Sequence, residues 1–368
     1  MLSALQTDVN LRQINWDKLY NTNYASYETV QNVNGVQGNS VFGRRSHYIV
    51  EERVINSTRY NFNSVLNTSL ASNVDFTAGA SYQSMRNHYF KKVDDLLGGD
   101  FYVDINQFAE RNFPSDVTAV QNDVNNPNRI LNVGDKFGYN YDINIKKASA
   151  WAQTMIKLRK VDFFAALEHS YTQFYRVGNA KTGIFPNNSF GKSEKYNFYN
   201  YSAKAGVTYK INGRNYIFAN GGYMTRAPFF ENAFIAPRTR DFVQENLRNE
   251  QITNFEGGYI MNAPRLKLRA TAYYTKFANQ MNVLTFYNDE YRNFVNYAVS
   301  NIGKIHQGFE FGGEANIYRG LSVNAAAAVG RYRFNTRQIA KVTSDNTAGI
   351  LDKNVIVYSN NFNVPTPQ

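Results

Sequence analysis

The chain has no cysteine and only 8 prolines among 368 residues. Without cysteine there is no disulfide framework and no thiolate metal site, a composition compatible with an oxidising envelope compartment. No window approaches 18 consecutive apolar residues, which excludes a transmembrane helix. No run of five or more basic residues occurs, although the net charge is +11. The positive residues are scattered through strands and loops and read as solvated faces and loop tips. No His-Glu-x-x-His, nucleophile elbow or phosphate loop is present. His47, His88, His169 and His306 are widely separated and show no metal spacing. No catalytic residue, cofactor or metal is expected, and the chain does not read as an enzyme. Asp94, Asp95, Asp100 and Asp104 form an acidic cluster in one long loop; a calcium site is one reading of it, although the spacing is not that of an EF-hand. Met1 to Leu19 lacks both a basic and an apolar region of the signal-peptide kind, so the expectation is a fragment or a mature internal piece. Asn363 to Gln368 likewise stops without a closing strand.

What is abundant is aromatic and alternating. Tyr and Phe number 27 each. From Leu266 every second residue is apolar or aromatic, through Leu268, Ala270, Ala272 and Tyr274, with Lys267, Arg269, Thr271, Tyr273 and Thr275 between them. The alternation returns with Ile305, Phe309, Phe311, Ala315 and Ile317 opposite His306, Glu310 and Glu314. A period of two means β-strand. The mean hydropathy of −0.50 does not contradict a membrane barrel, because only alternate residues of such a strand face lipid.

Five hairpins follow from this reading: 58–70 with 74–90, 148–158 with 162–177, 198–211 with 214–226, 252–263 with 265–279, and 303–318 with 321–335. Residues 137–146 read as a further strand, 46–56 as another, and 280–299 as a sixth pair. The total is roughly twelve to fourteen strands. Asn212-Gly213 suggests a two-residue turn with positive φ, and Gly221-Gly222 a strand kink. Short turns near residues 72, 160, 213, 264 and 320 alternate with long polar segments at about 91–135, 178–197, 227–251 and 336–353. That is the topology of an outer-membrane barrel. A strand of about 12 residues at ~3.3 Å per residue and 45° tilt rises ~28 Å, against an apolar band of about 25 Å. In 198–211, Tyr199 and Tyr201 stand at one end and Tyr209 at the other, with Ala203, Ala205 and Val207 between. Rings at both ends of an apolar band suit two water–lipid interfaces.

The stretch Arg226-Ala227-Pro228-Phe229-Phe230-Glu231 resembles the strand end Arg-Ala-Pro, aromatic, Glu of TonB-dependent outer-membrane receptors. Asn246-Leu247-Arg248-Asn249-Glu250 with Asn254, Glu256, Gly258 and Tyr259 is similar to that family's Leu-Lys-Pro-Glu and Asn-x-Glu-x-Gly-Tyr steps, with Asn249 in place of proline. Asn301-Ile302-Gly303 followed by Gly308-Phe309-Glu310 matches its Asn-x-Gly and Gly-x-Glu step. The matched region covers about 198–335. The resemblance implies an all-β, antiparallel transmembrane β-barrel in the outer membrane of a Gram-negative cell, here part of a 22-stranded wall. It divides the chain into a loop segment at 1–45, strands and loops at 46–335, and a loop and the start of a further strand at 336–368, with no plug domain. Arg226, Ala227, Pro228, Glu231, Glu250, Asn254, Glu256, Gly303, Gly308 and Glu310 are then structural or plug-facing positions. Arg226 and Glu231 are expected to pair at the rim, and Glu310 and Glu314 to find cations across the wall. The implied function is import of a scarce nutrient, whether siderophore, metal complex, oligosaccharide or peptide. The implied partners are outer-membrane lipid, the TonB energy-coupling protein through an N-terminal segment, that small ligand, and a surface lipoprotein, but no nucleic acid. A passive porin is the alternative, and a soluble β-sheet binding protein a distant third.

Overall fold

The computed structural model describes residues 12–290, 292–344 and 350–365. Its first element is helix α1 (Trp16–Ala25), capped by the Asn15 side chain on Lys18 N–H. A small hairpin follows, β1 (Tyr27–Gln31) with β2 (Ser40–Arg44). The described part of the expected 1–45 loop is therefore structured; residues 1–11 lie outside the description. The wall then opens with β3 (Val50–Ala71) and β4 (Val74–Asp95). After them come β5 (Tyr102–Val103), α2 (Gln107–Asn112) and β6 (Ile130–Leu131) in one long loop. The wall resumes with β7 (Lys136–Lys157), β8 (Val161–Gly178), the short β9 (Gly191–Lys192), β10 (Tyr196–Lys210) and β11 (Asn215–Arg226). A single-turn helix, α3 (Phe230–Ala233), precedes β12 (Glu250–Asn262), β13 (Leu266–Asn288), β14 (Asn293–Tyr318), β15 (Leu321–Phe334), β16 (Gln338–Ser344) and β17 (Ile350–Val357).

Neighbouring wall strands pair antiparallel in chain order, and among the described residues β3 forms one edge and β15 to β17 the other. The main sheet counts 13 strands, but the boundaries differ from those expected. The separate 46–56 and 58–70 are one strand, β3, in near-continuous register with β4. Likewise 137–146 and 148–158 are one strand, β7. The pair within 280–299 is the upper part of β13 and β14, which run on through bulges where Asn279 and Asn301 take φ of 57° and 55°. The segment 336–353 holds β16 and the start of β17, with 345–349 outside the description. Beyond β17, Asn363 bridges Arg333 and Val364 N–H donates to the Tyr332 carbonyl, so the chain runs beside β15.

The register assigns every wall side chain to one of two faces. Thr271 stands opposite Glu310 and Gly258, Tyr273 opposite Gly308 and Glu256, and Lys204 opposite Gly222 and Ala166. This polar face is the concave one, because the loop residues pack on it. The convex face carries Tyr82, Tyr199 and Tyr201 at one level, Tyr209 and Ile217 at a lower one, all exposed. Ala78, Ala80, Ala150, Ala165, Ala203, Ala205, Ala270 and Ala272 fill the band between. From Tyr199 to Tyr209 is ten residues of β10, a rise of about 25 Å at ~3.3 Å per residue and 40° tilt.

Glycines let rings lie flat against the concave face. A Cβ on Gly258 would meet Phe218 at 2.8 Å, and one on Gly308 would meet the Tyr273 hydroxyl at 2.6 Å and the Val329 carbonyl at 2.5 Å. Gly221 admits the Phe255 ring on the convex face and Gly222 the Asn254 side chain on the concave one, and their strand keeps its register there. The Asn212-Gly213 turn also differs from expectation. Neither residue has positive φ; instead Asn212 Oδ1 accepts from the Arg214 and Asn215 N–H groups and from Asn215 Nδ2. An Asx turn therefore closes this hairpin.

Candidate ligand chamber at the loop end of the wall

The loops at the far end of the strands are held by apolar packing as much as by polar contacts. Pro228, lacking an N–H, follows the last ladder residue pair Arg226 and Glu250 and turns the chain inward. Phe230 and Phe234 then pack onto Tyr141, Ile143, Ile145, Phe174 and Phe198 on the concave face. Phe234, Ile143 and Ala233 are fully buried. Arg176, 2% exposed, fastens two loops to this cluster: its Nε donates to the Pro237 carbonyl at 2.7 Å and an Nη to the Ser189 carbonyl at 2.8 Å. Asn23 does similar work for the N-terminal segment. Its Nδ2 donates to the carbonyls of Tyr48, Leu96 and Leu97, and its Oδ1 accepts from His47 and Tyr48 N–H.

The loop after β4 crosses the mouth of the wall. The Phe108 ring meets Phe294 at 6.0 Å between centroids, and Arg111 donates to the Arg292 carbonyl on the β13–β14 turn at 3.3 Å. Beneath this bridge lies a cavity of about 690 Å³. Tyr102, Phe108, Phe137, Tyr139, Phe185 and Phe294 give it ring surfaces, and Arg53, Lys91, Arg238 and Glu51 give it charge. Glu51 accepts from both Lys91 and Arg53 at 2.7 Å. The Arg238 guanidinium lies 5.4 Å from the Tyr139 ring centre, with no carboxylate partner among the described residues. Burial pushes the Tyr102 hydroxyl up to about 12, so it stays protonated as a donor. Three cations thus face one carboxylate inside an aromatic enclosure. A second, smaller cavity of about 290 Å³ is lined by Asn246, Asn279 and Asn301, all three with positive φ.

None of the family-motif positions lines the large cavity. Arg226 pairs with Glu250, Nε to Oε2 2.7 Å, with the carboxylate 3% exposed. The expected Arg226–Glu231 pair is not formed, because Glu231 sits in α3 beyond the inward turn while Glu250 is the direct ladder partner. Ala227 packs at the margin of the Phe230 cluster. Glu256 accepts from Asn220 Nδ2 at 2.8 Å; Asn254 Oδ1 is buried without a partner. A Cβ on Gly303 would collide with Asn335 and Thr336, and Thr336 Oγ1 accepts from the Gly303 N–H at 2.8 Å. Glu314 meets Lys267 at 3.3 Å, whereas Glu310 is exposed beside Thr271 and Ala328. The acidic cluster disperses. Asp95 caps Leu97 N–H, Asp100 binds Arg44 at 2.6 Å, and Asp104 binds Arg129 at 2.6 Å. Among the described residues no three His, Asp or Glu side chains converge on a metal-sized site.

The chamber residues carried no motif. The one available signal was charge alternating on one face above the aromatic level, Glu51 and Arg53 in β3 and Lys91 in β4.

The family model for the TonB dependent receptor-like beta-barrel matches residues 3–364, and the chain belongs to that family. Members are transport receptors rather than enzymes, so this wall is an outer-membrane one, with short turns periplasmic and long loops extracellular. Among solved structures, the copper transporter OprC is 10% identical with a TM-score of 0.55, over 79% of this chain and 42% of that one. The ferric citrate transporter FecA is 10% identical with a TM-score of 0.48, over 82% of this chain and 42% of that one. The FrpB iron transporter from Neisseria meningitidis (F3-3 variant) is 13% identical with a TM-score of 0.48, over 79% and 40%. At 10% identity the likeness to the copper transporter OprC is one of fold. The chain spans about two fifths of the length of these structures. No curated protein matches it.

Proposed function

We propose that the whole protein is an active importer that captures a scarce nutrient in the chamber beneath the extracellular loops and passes it inward with energy from TonB. Family membership supports the transport class. The observation that carries the ligand reading is the aromatic enclosure in which Arg53, Lys91 and Arg238 oppose a single Glu51. Such a site favours an anionic ligand with flat or ring surfaces, because cations supply charge and rings supply stacking area. A siderophore or an anionic metal complex fits this chemistry better than a neutral oligosaccharide.

The test is binding and uptake by the intact protein in cells and in detergent. Arg238→Ala is expected to weaken binding of an anionic ferric chelate about tenfold, the scale of one desolvated charge contact, and to leave any neutral oligosaccharide binding unchanged. Uptake should stop when the TonB partner is deleted. TonB-independent uptake accompanied by a steady conductance in planar bilayers would replace this reading with a passive channel.

A further inference from the structure

We propose that the periplasmic rim of the wall binds the phosphate groups of anionic glycerophospholipids in the inner leaflet of the outer membrane, through Arg159, Lys160, Arg214, Arg265 and Arg319. These five exposed cations occupy four consecutive turns, β7–β8, β10–β11, β12–β13 and β14–β15. Consecutive turns lie two strand separations apart, so the cations form a row of about 30 Å, one or two at each ~10 Å step. The β3–β4 turn, Ser72-Asn73, is uncharged.

The backbone fixes their height. The four turns hold only two to four residues each between their strands. The Lys160, Arg214 and Arg265 carbonyls accept from the N–H groups of Lys210, Asn262 and Asn316 at 2.7, 2.7 and 2.9 Å. Three of the cations are therefore tied through their own backbone to the next hairpin and stay at the strand ends. Arg214 stands three residues beyond Ile217 of the lower level, a descent of no more than about 10 Å. Leu158, Ile211, Tyr318 and Leu321 are exposed in or beside the same turns, where acyl chains meet head groups.

The charge balance is the third observation. Residues 66–79, 153–167, 205–219, 257–271 and 312–326, the strand ends around these turns, contain three carboxylates. Each is already paired with a strand lysine: Asp75 with Lys157 at 2.7 Å, Asp162 with Lys210 at 2.6 Å, and Glu314 with Lys267 at 3.3 Å. Among the described residues the five turn cations form no ion pair. Unpaired cations at a membrane surface attract anionic head groups. A soluble acidic protein fits less well, because turns this short end within the head-group layer and present no surface beyond it.

The experiment uses the intact protein purified from its own membrane and placed in nanodiscs of phosphatidylcholine mixed with phosphatidylglycerol, with bound lipids counted by native mass spectrometry. Wild type should retain phosphatidylglycerol over phosphatidylcholine at least about fivefold, the effect of a single surface cation, and millimolar inorganic phosphate should not compete. The R159Q/K160Q/R214Q/R265Q/R319Q variant should lose that preference. Ser72→Arg, in the uncharged turn, should raise it, and Lys92→Gln, at the extracellular end of β4, should leave it unchanged. Equal retention of the two lipids by wild type, which needs no variant to fold, overturns the proposal. So does competition by inorganic phosphate, which would mark a free-anion site, or a folded quintuple variant that keeps the preference. A Ser72→Arg protein that gains nothing, or a Lys92→Gln protein that loses as much as the quintuple variant, overturns it as well.

Discussion

The two halves of β7 obey opposite rules. In its periplasmic half, Ala148, Ala150, Ala152 and Ile156 face outward while Lys147, Ser149 and Gln153 face inward. In its extracellular half, Lys146, Asn144 and Asp142 face outward while Ile145, Ile143 and Tyr141 face inward, beside Phe174 and Phe198 and buried under Phe230 and Phe234. One strand thus reverses the phase of its alternation without breaking its ladder. The cause is the change of solvent. Below the aromatic level hydrocarbon lies outside and water inside; above it water lies outside, and the loops fold inward and need an apolar floor.

The largest test of that contrast lies in the upper half. Phe234 is fully buried at the centre of the floor, so Phe234→Ala should cost about 3–5 kcal/mol of loop docking. Hydrogen exchange in 227–249 should rise sharply in the variant, while the hydrocarbon-level amides of β7 and β8 remain protected. Unchanged exchange would mean that the loop is held by polar contacts such as those of Arg176 alone.

In the lower half the outward face should resist charge instead. Leu167, 67% exposed in mid-band between Phe163 and Tyr171, meets hydrocarbon on this reading. Leu167→Arg should cost about 2–4 kcal/mol, measured by urea unfolding in lipid vesicles. Glu168→Gln, one residue on and facing inward opposite Ser202 and Trp151, should be close to silent. Equal costs would reverse the assignment of faces.

This phase reversal also marks where the sequence stops being legible. The hairpins and short turns of the lower half follow from alternation, because two solvents impose it on every strand. The same rule divides β7 at residue 147, since a shift of apolar residues from even to odd positions looks like a new strand when only one pair of solvents is assumed. The inward turn at Pro228 is legible as a strand end, but not as the start of a buried loop, because Phe229, Phe230 and Phe234 have no period of their own. The partner of Arg226 was likewise hidden: Glu250 is 24 residues away in sequence and becomes adjacent only through the β11–β12 register. The chamber is the least legible part. Lys91, Arg238 and Phe294 come from three separated segments, and only the folded wall brings them to one volume.

A smaller effect tests the packing of rings on the concave face at the level of the membrane. Gly308 faces Tyr273 and Gly330 in the register, and a methyl group there would press on the Tyr273 hydroxyl and the Val329 carbonyl. Gly308→Ala should cost about 1–3 kcal/mol through overpacking. Pairing it with Tyr273→Ala should recover part of that loss, since the ring that claims the space is gone. Additive losses in this cycle would show that the backbone carbonyl, rather than the ring, sets the limit.

The smallest expected effect belongs to the extracellular surface, where exposed polar contacts supplement the packing of Val30 and Val41 on Phe101, Val103 and Ile105 in joining the N-terminal hairpin to its neighbours. Burial works to raise the Glu28 carboxyl, but Arg45 at 3.0 Å and His47 at 2.9 Å outweigh it and hold Glu28 below its ordinary value of 4.5. A carboxylate lowered in the folded state adds stability in full above 4.5, and that stability is lost as pH falls through the depressed value. Solvent around the pair limits the contribution to no more than about 1 kcal/mol. Hydrogen exchange of β1 and β2, corrected for its intrinsic pH dependence, should therefore accelerate only below pH 4.5, and Glu28→Gln should remove that acceleration while leaving the Phe234 region untouched. If acid instead released the loop around Phe234 first, the apolar floor would not be the stronger of the two attachments.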